Sequence, residues 1–250
     1  MPLVSIIMPY YKKSKHVYQS IQSIINQDFA NIEILIIDDE LSEKSQMILD
    51  NLRKKDDRIK IIKNYKNIGA GLSRNRGIKL SRGKYLAFCD CDDIWKKNKI
   101  SEQISFMKKN NLSFSFTSYD IIDEENNYLD HRKVKKIILF KDLIKSCDIG
   151  LSTVILKKEI LIKNECLFPN IKTKEDFVLW LKLSKKGVKM FGFKKSLTKW
   201  RKSKNSLSSS SIQKLYDGYQ VYRKFLRFNI IKSLIYLVIL SINFLKKSKT

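Results

Sequence analysis

The sequence has 250 residues, of which 43% are hydrophobic and 11% aromatic. A chain with this much apolar surface can offset the entropy of ordering it, so a wholly disordered protein is excluded. The 50 lysines and arginines outnumber the 25 aspartates and glutamates, and the net charge of +25 favours anionic partners. The lysines are scattered in pairs and not gathered into one arm. Charge alone therefore does not distinguish nucleic acid, anionic lipid and phosphorylated small molecules.

The cysteines indicate which covalent and metal sites are not expected, and the N-terminus bears on the location of the protein. The four cysteines form no CxxC pair and have no histidine at ligand spacing, so neither a zinc site nor a disulfide framework is predicted. The chain enters an apolar segment at Val4 without a basic leader or a cleavage site, and we therefore expect a cytoplasmic location for the catalytic part. The length suits one large domain with an appended segment.

The first hundred residues or so alternate strand patterns with helical patterns. Apolar runs predict strands at residues 4–8, 32–37, 59–63 and 85–89, and helical spacing predicts helices over about 15–26, over about 42–55 and from about residue 72. Strand, helix and strand in succession form a βαβ unit, whose crossover is right-handed. The pattern therefore predicts an α/β protein with a Rossmann-like, mixed but mostly parallel sheet flanked by helices.

The second half of the chain is less regular. Helices are predicted near residues 99–110, 140–147 and 175–186, strands near 114–119, 152–156 and 188–193, and a turn at 123–127. Residues 203–211 form a serine-rich segment, and a helix from about 212 to 228 continues into 230–245. We therefore predict one domain over 1–210 and a basic, apolar, helical tail over 211–250.

The tail contains an uncharged stretch from Ser233 to Leu245, with lysines on both sides. A membrane-spanning helix needs ~20 apolar residues, so this stretch is too short to cross a bilayer. Two interpretations remain open. The tail is either an interfacial anchor at the membrane surface or a helix that covers the core or a dimer face.

Clusters of acidic residues or arginines lie at predicted strand ends and loops: Asp38-Asp39, Arg74-Asn75-Arg76 and Asp90-Cys91-Asp92-Asp93. Ligands of open α/β sheets bind at the carboxyl ends of the strands. Two carboxylates in a DxD sequence can bind Mg²⁺ or Mn²⁺ through oxygen, and the cation would neutralise a diphosphate. Each cluster alone could simply cap a helix or satisfy a turn, but together they predict a site for a diphosphate and a metal. Gly69-Ala70-Gly71 lacks the third glycine of the dinucleotide fingerprint, which disfavours an NAD enzyme.

With these motifs the sequence resembles the family 2 inverting glycosyltransferases, which have the GT-A fold of the nucleotide-diphospho-sugar transferases. The resemblance covers nearly the whole chain and rests on residues 4–11, 36–39, 71–77, 88–93 with Trp95, and 174–177 with Trp180. It implies that the domain over 1–210 has a nucleotide-binding half over about 1–98 and an acceptor half over about 99–210.

The resemblance implies a nucleobase pocket at the ends of the first two strands. Pro9, Tyr11 and Asp39 would form this pocket, with Asp38 beside them. Asp39 would accept from the imide of uracil or thymine, and Tyr11 would lie against the ring.

The resemblance also implies contacts to the rest of the nucleotide sugar. Arg74 would reach the base or the diphosphate, and Asp90 would touch the ribose. Asp92, the last carboxylate of the DxD, would bind the Mn²⁺ or Mg²⁺ ion that bridges the two phosphates, with Asp93 assisting. Arg201, placed in a loop after the last strand, would steady the diphosphate once that loop closes. Cys91 stands inside the DxD where the family more often has a small residue.

Asp176 is implied to be the catalytic base, which takes the proton of the acceptor hydroxyl as its oxygen attacks the anomeric carbon. The implied function is the transfer, with inversion, of a sugar from a nucleoside diphosphate donor, preferably a uridine one. The acceptor would be a hydroxyl of a saccharide or of a lipid-linked acceptor, and the setting the synthesis of cell-surface polysaccharide or lipopolysaccharide. Without the upstream motifs, Asp176 would be no more than a negative charge favoured in a first helical turn.

Three other functions fit the sequence less well than sugar transfer. A sugar nucleotidyltransferase of related fold should have a glycine- and lysine-rich loop directly after the first strand, where this chain has Pro9-Tyr10-Tyr11-Lys12-Lys13. A homologue that binds nucleotide sugar without catalysis should have lost a carboxylate, and Asp90, Asp92 and Asp176 are all present. A nucleic-acid-binding protein would have no use for acidic clusters that repel phosphates, so nucleic acid is not an expected partner.

Overall fold

The computed structural model describes residue 1, residues 3–203 and residues 211–248. In chain order the strands are β1 (Val4–Tyr10), β2 (Ile32–Asp38), β3 (Ile59–Lys63), β4 (Tyr85–Phe88), β5 (Ile94–Trp95), β6 (Phe114–Ile122), β7 (Tyr128–Arg132), β8 (Ile137–Ile138), β9 (Ile155–Lys157) and β10 (Met190–Arg201). The α-helices are α1 (Val17–Ile25), α2 (Glu43–Arg53), α3 (Ala70–Leu80), α4 (Lys99–Lys109), α5 (Phe140–Leu143), α6 (Lys158–Lys163), α7 (Glu175–Lys185), α8 (Ser211–Gln220) and α9 (Ile230–Ser248). A 3₁₀ turn spans Leu151–Thr153, and a π-helical turn spans Val221–Phe225.

Within these residues the strands form one ten-stranded sheet. Its order is β3-β2-β1-β4-β9-β6-β10-β5, with β7 paired to β6 and β8 paired to β10. The strands β3, β2, β1 and β4 are parallel, and β10 is parallel to β6. The strand β9 runs antiparallel between β4 and β6 and so joins the two parallel parts. The predicted fold class, an open and mostly parallel sheet flanked by helices with a helical C-terminal region, is confirmed.

Side chains of the central strands alternate between two apolar cores, one on each face of the sheet. On β1, Ile7 contributes to the core that contains Trp180, whereas Ile6 and Met8 contribute to the core that contains Val17. Because both faces are covered, the strand sequences read as continuous apolar runs instead of alternating ones. Gly77 lets α3 lie close on the sheet, since a Cβ there would stand 2.6 Å from a methyl carbon of Ile7.

The strand β1 is longer than its sequence predicts. It was expected to end at Met8, before Pro9, but it continues to Tyr10. Ile7 accepts from the backbone N–H of Cys89 on the β4 side, and Pro9 faces that same side two residues later, beyond the last β4 pairing at Phe88. The missing N–H of proline therefore falls where no strand needs a donor.

The second half differs more from expectation. The strand β7 was not predicted, and β10 extends to Arg201 although a strand was expected only over 188–193. The pairing of β10 with β6 has irregularities between Phe193 and Ser196 and between Ser196 and Thr198, and such bulges interrupt the period-two pattern. Arg201 consequently closes a strand and does not lie in a loop after it.

The C-terminal helices join the main core. Val221, Tyr222 and Leu240 belong to the same apolar cluster as Trp180, and the Tyr222 hydroxyl donates to the carbonyl of Ile144 at 2.9 Å. The predicted continuous helix is interrupted by the π-helical turn and by Arg227, which has a φ of 58°. Most of the serine-rich segment predicted at 203–211 lies outside the described residues. Among the described helices, none is long and apolar enough to cross a membrane.

Candidate active site

The acidic clusters predicted from the sequence lie along the carboxyl ends of the parallel strands. Asp38 ends β2, opposite Tyr10 of β1, and Asp90 follows β4 directly after Cys89. The strands β2, β1 and β4 are neighbours in the sheet, so the side chains at their ends face one edge. This is the edge at which open α/β sheets bind ligands.

The Asp38 carboxylate accepts hydrogen bonds from the segment that follows β2. Its side chain is fully buried, and its Oδ1 accepts from the backbone N–H groups of Glu40 at 3.1 Å and Leu41 at 3.2 Å. Its Oδ2 accepts from the Ser45 hydroxyl at 3.2 Å. These contacts fix the start of α2, as Asp residues in turns commonly do. The predicted contact of Asp38 with the nucleotide stays a prediction.

Asp39 holds the loop that leads into α3. Its Oδ1 accepts from the side-chain amide of Asn64 at 2.7 Å and from the N–H of Ile68 at 2.9 Å, and its Oδ2 accepts from the N–H of Gly69 at 2.9 Å. Gly69 caps α3 with a φ of 85°, a conformation that a residue with a Cβ rarely adopts. The predicted nucleobase contact of Asp39 is not tested by these bonds, which show only that the carboxylate already has backbone donors.

The two predicted residues of β1 and its end have different surroundings. Pro9 is buried in the strand, whereas Tyr11 is 37% exposed just beyond it. The Lys12 ammonium lies 5.2 Å from the centre of the Tyr11 ring. Stacking on a nucleobase would need a free face of this ring, and the predicted nucleobase contacts of Pro9 and Tyr11 stay predictions.

Arg74 is the centre of the site. Its guanidinium is 4% exposed and donates to Asp90 at 2.7 Å and to Glu175 at 2.6 Å, while lying 5.5 Å from the centre of the Phe168 ring. Burial alone would lower the pKa of Arg74, but the two carboxylates outweigh it and raise that pKa. Arg74 therefore joins the DxD segment to the start of α7.

The other two residues of the arginine cluster position neighbouring segments. The Asn75 side chain exchanges two hydrogen bonds with the backbone of Phe168, at 2.8 and 2.9 Å. Arg76 donates to the carbonyl of Lys63 and, at 2.8 Å, to the side-chain oxygen of Asn64. Consecutive residues on α3 thus reach three different parts of the protein.

Asp176 lies in the first turn of α7, next to Glu175. Its Oδ1 accepts from the N–H of Phe177 at 2.7 Å. Burial raises the pKa of Asp176 to about 7; Glu175 and Asp90 add to the rise, and Arg74 opposes it. A carboxylate with a pKa near neutrality can take a proton and release it again, which a general base must do.

The DxD segment is held by contacts to two other loops. The N–H of Asp90 donates to the Ser152 hydroxyl at 3.0 Å, and the Lys13 ammonium lies 2.7 Å from Asp92. Cys91 is buried in the core, and burial raises its pKa well above the usual range, so its thiol stays protonated. Burial, with Asp92 and Asp90 nearby, likewise raises the pKa of Asp93.

Arg201 connects the DxD segment to the β6–β7 hairpin. Its N–H donates to Asp93 at 2.9 Å, and its guanidinium donates to oxygens of Asp92, Asp123, Glu124, Gln19 and Asn126 at 2.8 to 3.2 Å. These five contacts use every N–H of the guanidinium. The predicted contact of Arg201 with the diphosphate stays a prediction, and in this conformation it would need one of these bonds to open.

The donor set suits a metal that binds one protein carboxylate. Within the described ranges, no group of three or more His, Cys, Asp or Glu side chains is arranged to hold a metal. The Asp92 side chain is 15% exposed, and Mg²⁺ commonly binds one or two carboxylates together with substrate phosphates. Lys13 forms an ion pair with Asp92 at 2.7 Å, so the predicted metal contact of Asp92 stays a prediction.

The sequence alone does not predict the contacts that Lys13 and Ser152 make with the DxD segment, or the ion pair between Arg74 and Glu175. The position of Lys13, three residues after the end of β1, is the signal in the sequence that places it near the predicted nucleotide edge. Ser152 carries no such signal, because its contact to Asp90 spans 62 residues. Glu175 lies inside a recognised motif, but its pairing with Arg74 spans 101 residues.

Two solved structures show the same fold as this chain. The structure superposes on the S. aureus protein TarS (residues 1–349, in complex with UDP-GlcNAc) with a TM-score of 0.76 and 20% sequence identity, covering 95% of this chain and 70% of TarS. A mannosyltransferase from Pyrobaculum calidifontis, in complex with GDP-Man and Mn²⁺, gives a TM-score of 0.71 at 14% identity and covers 94% of this chain and 70% of that one. These likenesses confirm the expected GT-A fold.

Sequence relatives agree with the fold. The chain is 37% identical over 224 residues to WfgD of Escherichia coli, a UDP-Glc:alpha-D-GlcNAc-diphosphoundecaprenol beta-1,3-glucosyltransferase, covering 89% of this chain and 86% of WfgD. It is 32% identical over 233 residues to Bacillus subtilis (strain 168) TuaG, a glycosyltransferase provisionally assigned to teichuronic acid biosynthesis, covering 93% of this chain and 92% of TuaG. Residues 5–164 match the family model described as Glycosyl transferase family 2. The chain is therefore a glycosyltransferase that belongs to family 2.

Proposed function

We propose that this protein is an inverting, metal-dependent transferase that moves a sugar from a UDP-sugar to a hydroxyl of a saccharide or lipid-linked acceptor. The proposed setting is the synthesis of cell-surface polysaccharide or lipopolysaccharide. The observation that carries the proposal is the chain of contacts from Asp90 through Arg74 to Glu175, at 2.7 and 2.6 Å, which holds the proposed base Asp176 beside the nucleotide edge. A binding protein without catalysis would have no need to fix a carboxylate of raised pKa at that place.

Asp176 would act on the acceptor. Its carboxylate takes the proton of the acceptor hydroxyl while the oxygen forms a bond to the anomeric carbon of the donor. The bond from that carbon to the phosphate oxygen breaks at the same time, and the nucleoside diphosphate leaves from the opposite face. The configuration of the anomeric carbon is inverted, and such base catalysis contributes ~10²- to 10⁴-fold to the rate.

Asp92 would hold the divalent cation, with Asp93 behind it. A bound Mn²⁺ or Mg²⁺ ion supplies stabilisation of the negative charge that develops on the diphosphate. Lys13, whose ammonium lies 2.7 Å from Asp92, would supply a further positive charge near the diphosphate.

The donor and acceptor classes follow from the relatives. WfgD and WfaP of Escherichia coli, the latter 36% identical over 215 residues, are both named for a UDP-Glc donor, a diphosphoundecaprenol-linked acceptor and a beta-1,3 product. The uridine preference rests on these names, because an aromatic ring such as that of Tyr11 stacks on any base. We extend the donor and acceptor chemistry to this chain as a class and leave the individual sugar open.

A transfer assay tests this function. Purified protein is incubated with Mn²⁺, UDP-glucose or UDP-GlcNAc, and an acceptor that carries GlcNAc on a diphosphate-linked prenyl chain, and the products are separated by mass. We expect one UDP-sugar to yield an acceptor heavier by one hexose or one N-acetylhexosamine. If every donor remains intact although the protein binds UDP, the chain is a nucleotide-sugar-binding homologue and not a transferase.

We further propose that α9 contacts the membrane from the cytoplasmic side, where the acceptor lipid would be presented. One side of α9 packs on the domain through Ser233 and Leu240, and the other side exposes Ile230, Ile231, Leu234, Ile235, Val238, Ile242 and Leu245. From Gly218 to the end, the sequence contains lysines and arginines but no aspartate or glutamate. An apolar face with basic flanks suits an anionic bilayer, where each basic residue contributes ~1 kcal/mol near the surface.

Flotation with vesicles tests the membrane contact. We expect the protein to float with phosphatidylglycerol vesicles and less with phosphatidylcholine vesicles, and expect the double substitution Ile235→Asp, Val238→Asp to abolish flotation. Met47→Asp serves as control, because Met47 is 68% exposed on α2, away from this face. Equal flotation of the double variant and the parent would end the membrane proposal. A parent protein that is a dimer and a double variant that is a monomer would instead assign the face to a second copy of the chain.

A further inference from the structure

The helix that carries Asp176 begins without a cap of its own. Lys174, the residue before α7, is in the left-handed conformation with a φ of 64°, and it makes no side-chain hydrogen bond to the helix. Left-handed backbone is unfavourable for a residue with a Cβ, so neighbouring contacts must hold it. The direction of Asp176 depends on how this start is fixed.

Arg74 restrains Glu175 inside the helix, and a second contact, from α8, restrains the residue before Lys174. Asp217 accepts at one carboxylate oxygen both from the N–H of Thr173 at 2.9 Å and from its hydroxyl at 2.7 Å, and at the other oxygen from Gln213 at 3.0 Å. Asp217 is 2% exposed and Thr173 is 5% exposed. A buried carboxylate that accepts two hydrogen bonds from one residue restrains the position of that residue. Breaking these bonds would leave buried polar groups unpaired, which costs free energy.

The residues just before Thr173 are packed on one side only. The segment before Thr173 borders a cavity of about 280 Å³, lined on one side by Asn170, Ile171 and Lys172 and on the other by residues of α8 and the π-helical turn. Beyond Asp217, α8 lies close to its neighbours, since a Cβ on Gly218 would stand 2.9 Å from Leu237 of α9 and 3.6 Å from Cε of Lys174. Asp217 therefore restrains Thr173 next to residues that border this cavity.

We propose that Asp217 is a positioning residue for Asp176, and that the C-terminal helices take part in catalysis through the Asp217–Thr173 contact. By fixing Thr173, Asp217 sets the left-handed turn at Lys174, the start of α7 and the orientation of the Asp176 carboxylate. The inference rests on the proposed function, because it gives Asp217 its role through the proton transfer at Asp176. It assigns Asp217 no contact with the donor.

The variants that test it are Asp217→Asn, Thr173→Val and the conservative control Thr173→Ser. Small displacements of a catalytic group cost up to ~100-fold in rate, and we expect kcat to fall ~10- to 100-fold in the first two variants. The KM for the UDP-sugar and the Kd for UDP should stay within about twofold of the parent, since the nucleotide edge is untouched. Thr173→Ser keeps the hydroxyl and should retain the parental kcat. The profile of kcat against pH should also change in Asp217→Asn, because the surroundings of Asp176 change.

Each outcome decides a different claim. Unchanged kcat and unchanged pH profile in folded Asp217→Asn, together with an inactive Asp176→Asn, would overturn the positioning role while the proposed function stands. Asp217→Asn could instead melt at a lower temperature and still have the parental kcat at temperatures well below its melting temperature. That result would show a purely structural role and would also overturn the positioning role. If Asp217→Asn does not fold, the comparison of Thr173→Val with Thr173→Ser still decides. A parent protein that binds UDP but transfers no sugar would refute the proposed function itself.

Discussion

Asp176→Asn is expected to lower kcat by ~10²- to 10⁴-fold while the Kd for UDP stays unchanged. The asparagine keeps an acceptor for the N–H of Phe177, now bonded at 2.7 Å, but it cannot take a proton from the acceptor hydroxyl. The measurement is the initial rate of transfer at saturating donor, beside a calorimetric titration with UDP. The fold should be intact, because the substitution removes a charge that burial and the nearby Glu175 disfavour.

The same base predicts the pH dependence of the parent enzyme. Burial raises the pKa of Asp176 to about 7, and only the deprotonated carboxylate can accept the proton. The value of kcat should therefore rise as the pH increases through about 7 and reach a plateau above it. A rate profile that is flat between pH 6 and pH 8 would show that another group, or no group, acts as the base.

Asp50→Asn is the matched control for Asp176→Asn. Asp50 is also an aspartate on a helix, but its side chain is 51% exposed on α2. Its substitution should change neither kcat nor the pH profile. Transfer by Asp176→Asn at the rate of this control would contradict the assignment of the base.

Arg74→Met is expected to lower the free energy of unfolding by ~3–5 kcal/mol. The substitution leaves Asp90 and Glu175 without the guanidinium that each now contacts, and Glu175 is only 12% exposed. Removing one partner of a buried pair is costly because the remaining charge stays desolvated. Urea unfolding followed by circular dichroism measures the change.

Arg76→Met is the control for Arg74→Met. Arg76 lies on the same helix, but it donates to the Lys63 carbonyl and the Asn64 side chain. Its substitution therefore leaves no carboxylate without an ion-pair partner. We expect a loss of ~1 kcal/mol there. Arg74 also lowers the pKa of Asp176, so Arg74→Met should move the rise of kcat to higher pH. Equal stability losses in both variants, with an unmoved pH profile, would show that Arg74 does not organise the site.

The sequence was sufficient where a strand is buried on both faces. The strand β2 is buried along its whole length, and its predicted bounds of 32–37 differ by one residue from the observed Ile32–Asp38, because an apolar run between polar segments has few other solutions. The strand β7 gives no such signal, since Tyr128 and Leu129 are exposed and the strand exists through its pairing with β6. The full length of β10 is not predicted either, because its bulges interrupt the alternation of side chains along the strand.

In the site, the sequence located the acidic residues better than their partners. Asp38 and Asp90 do lie at strand ends, as the apolar runs before them predict. The partners depend on distant parts of the chain: Arg74 meets Glu175 across 101 residues, and Asp217 meets Thr173 across 44. No local pattern encodes such pairs, because they follow from how the helices pack. The contacts of Arg201 likewise appear only once β10 is seen to reach the β6–β7 hairpin.

The most direct test of the account is the thermal unfolding of the purified protein with UDP, TDP, GDP, CDP and ADP, each with and without Mn²⁺ or Mg²⁺, beside Asp92→Ala. A ligand that binds only the folded state raises the melting temperature by mass action. We expect a rise with UDP that requires the metal and that is lost in Asp92→Ala. A parent protein whose melting temperature responds to none of the nucleotides, or equally to UDP with and without metal, would contradict the central claim of a metal-assisted nucleotide-sugar site.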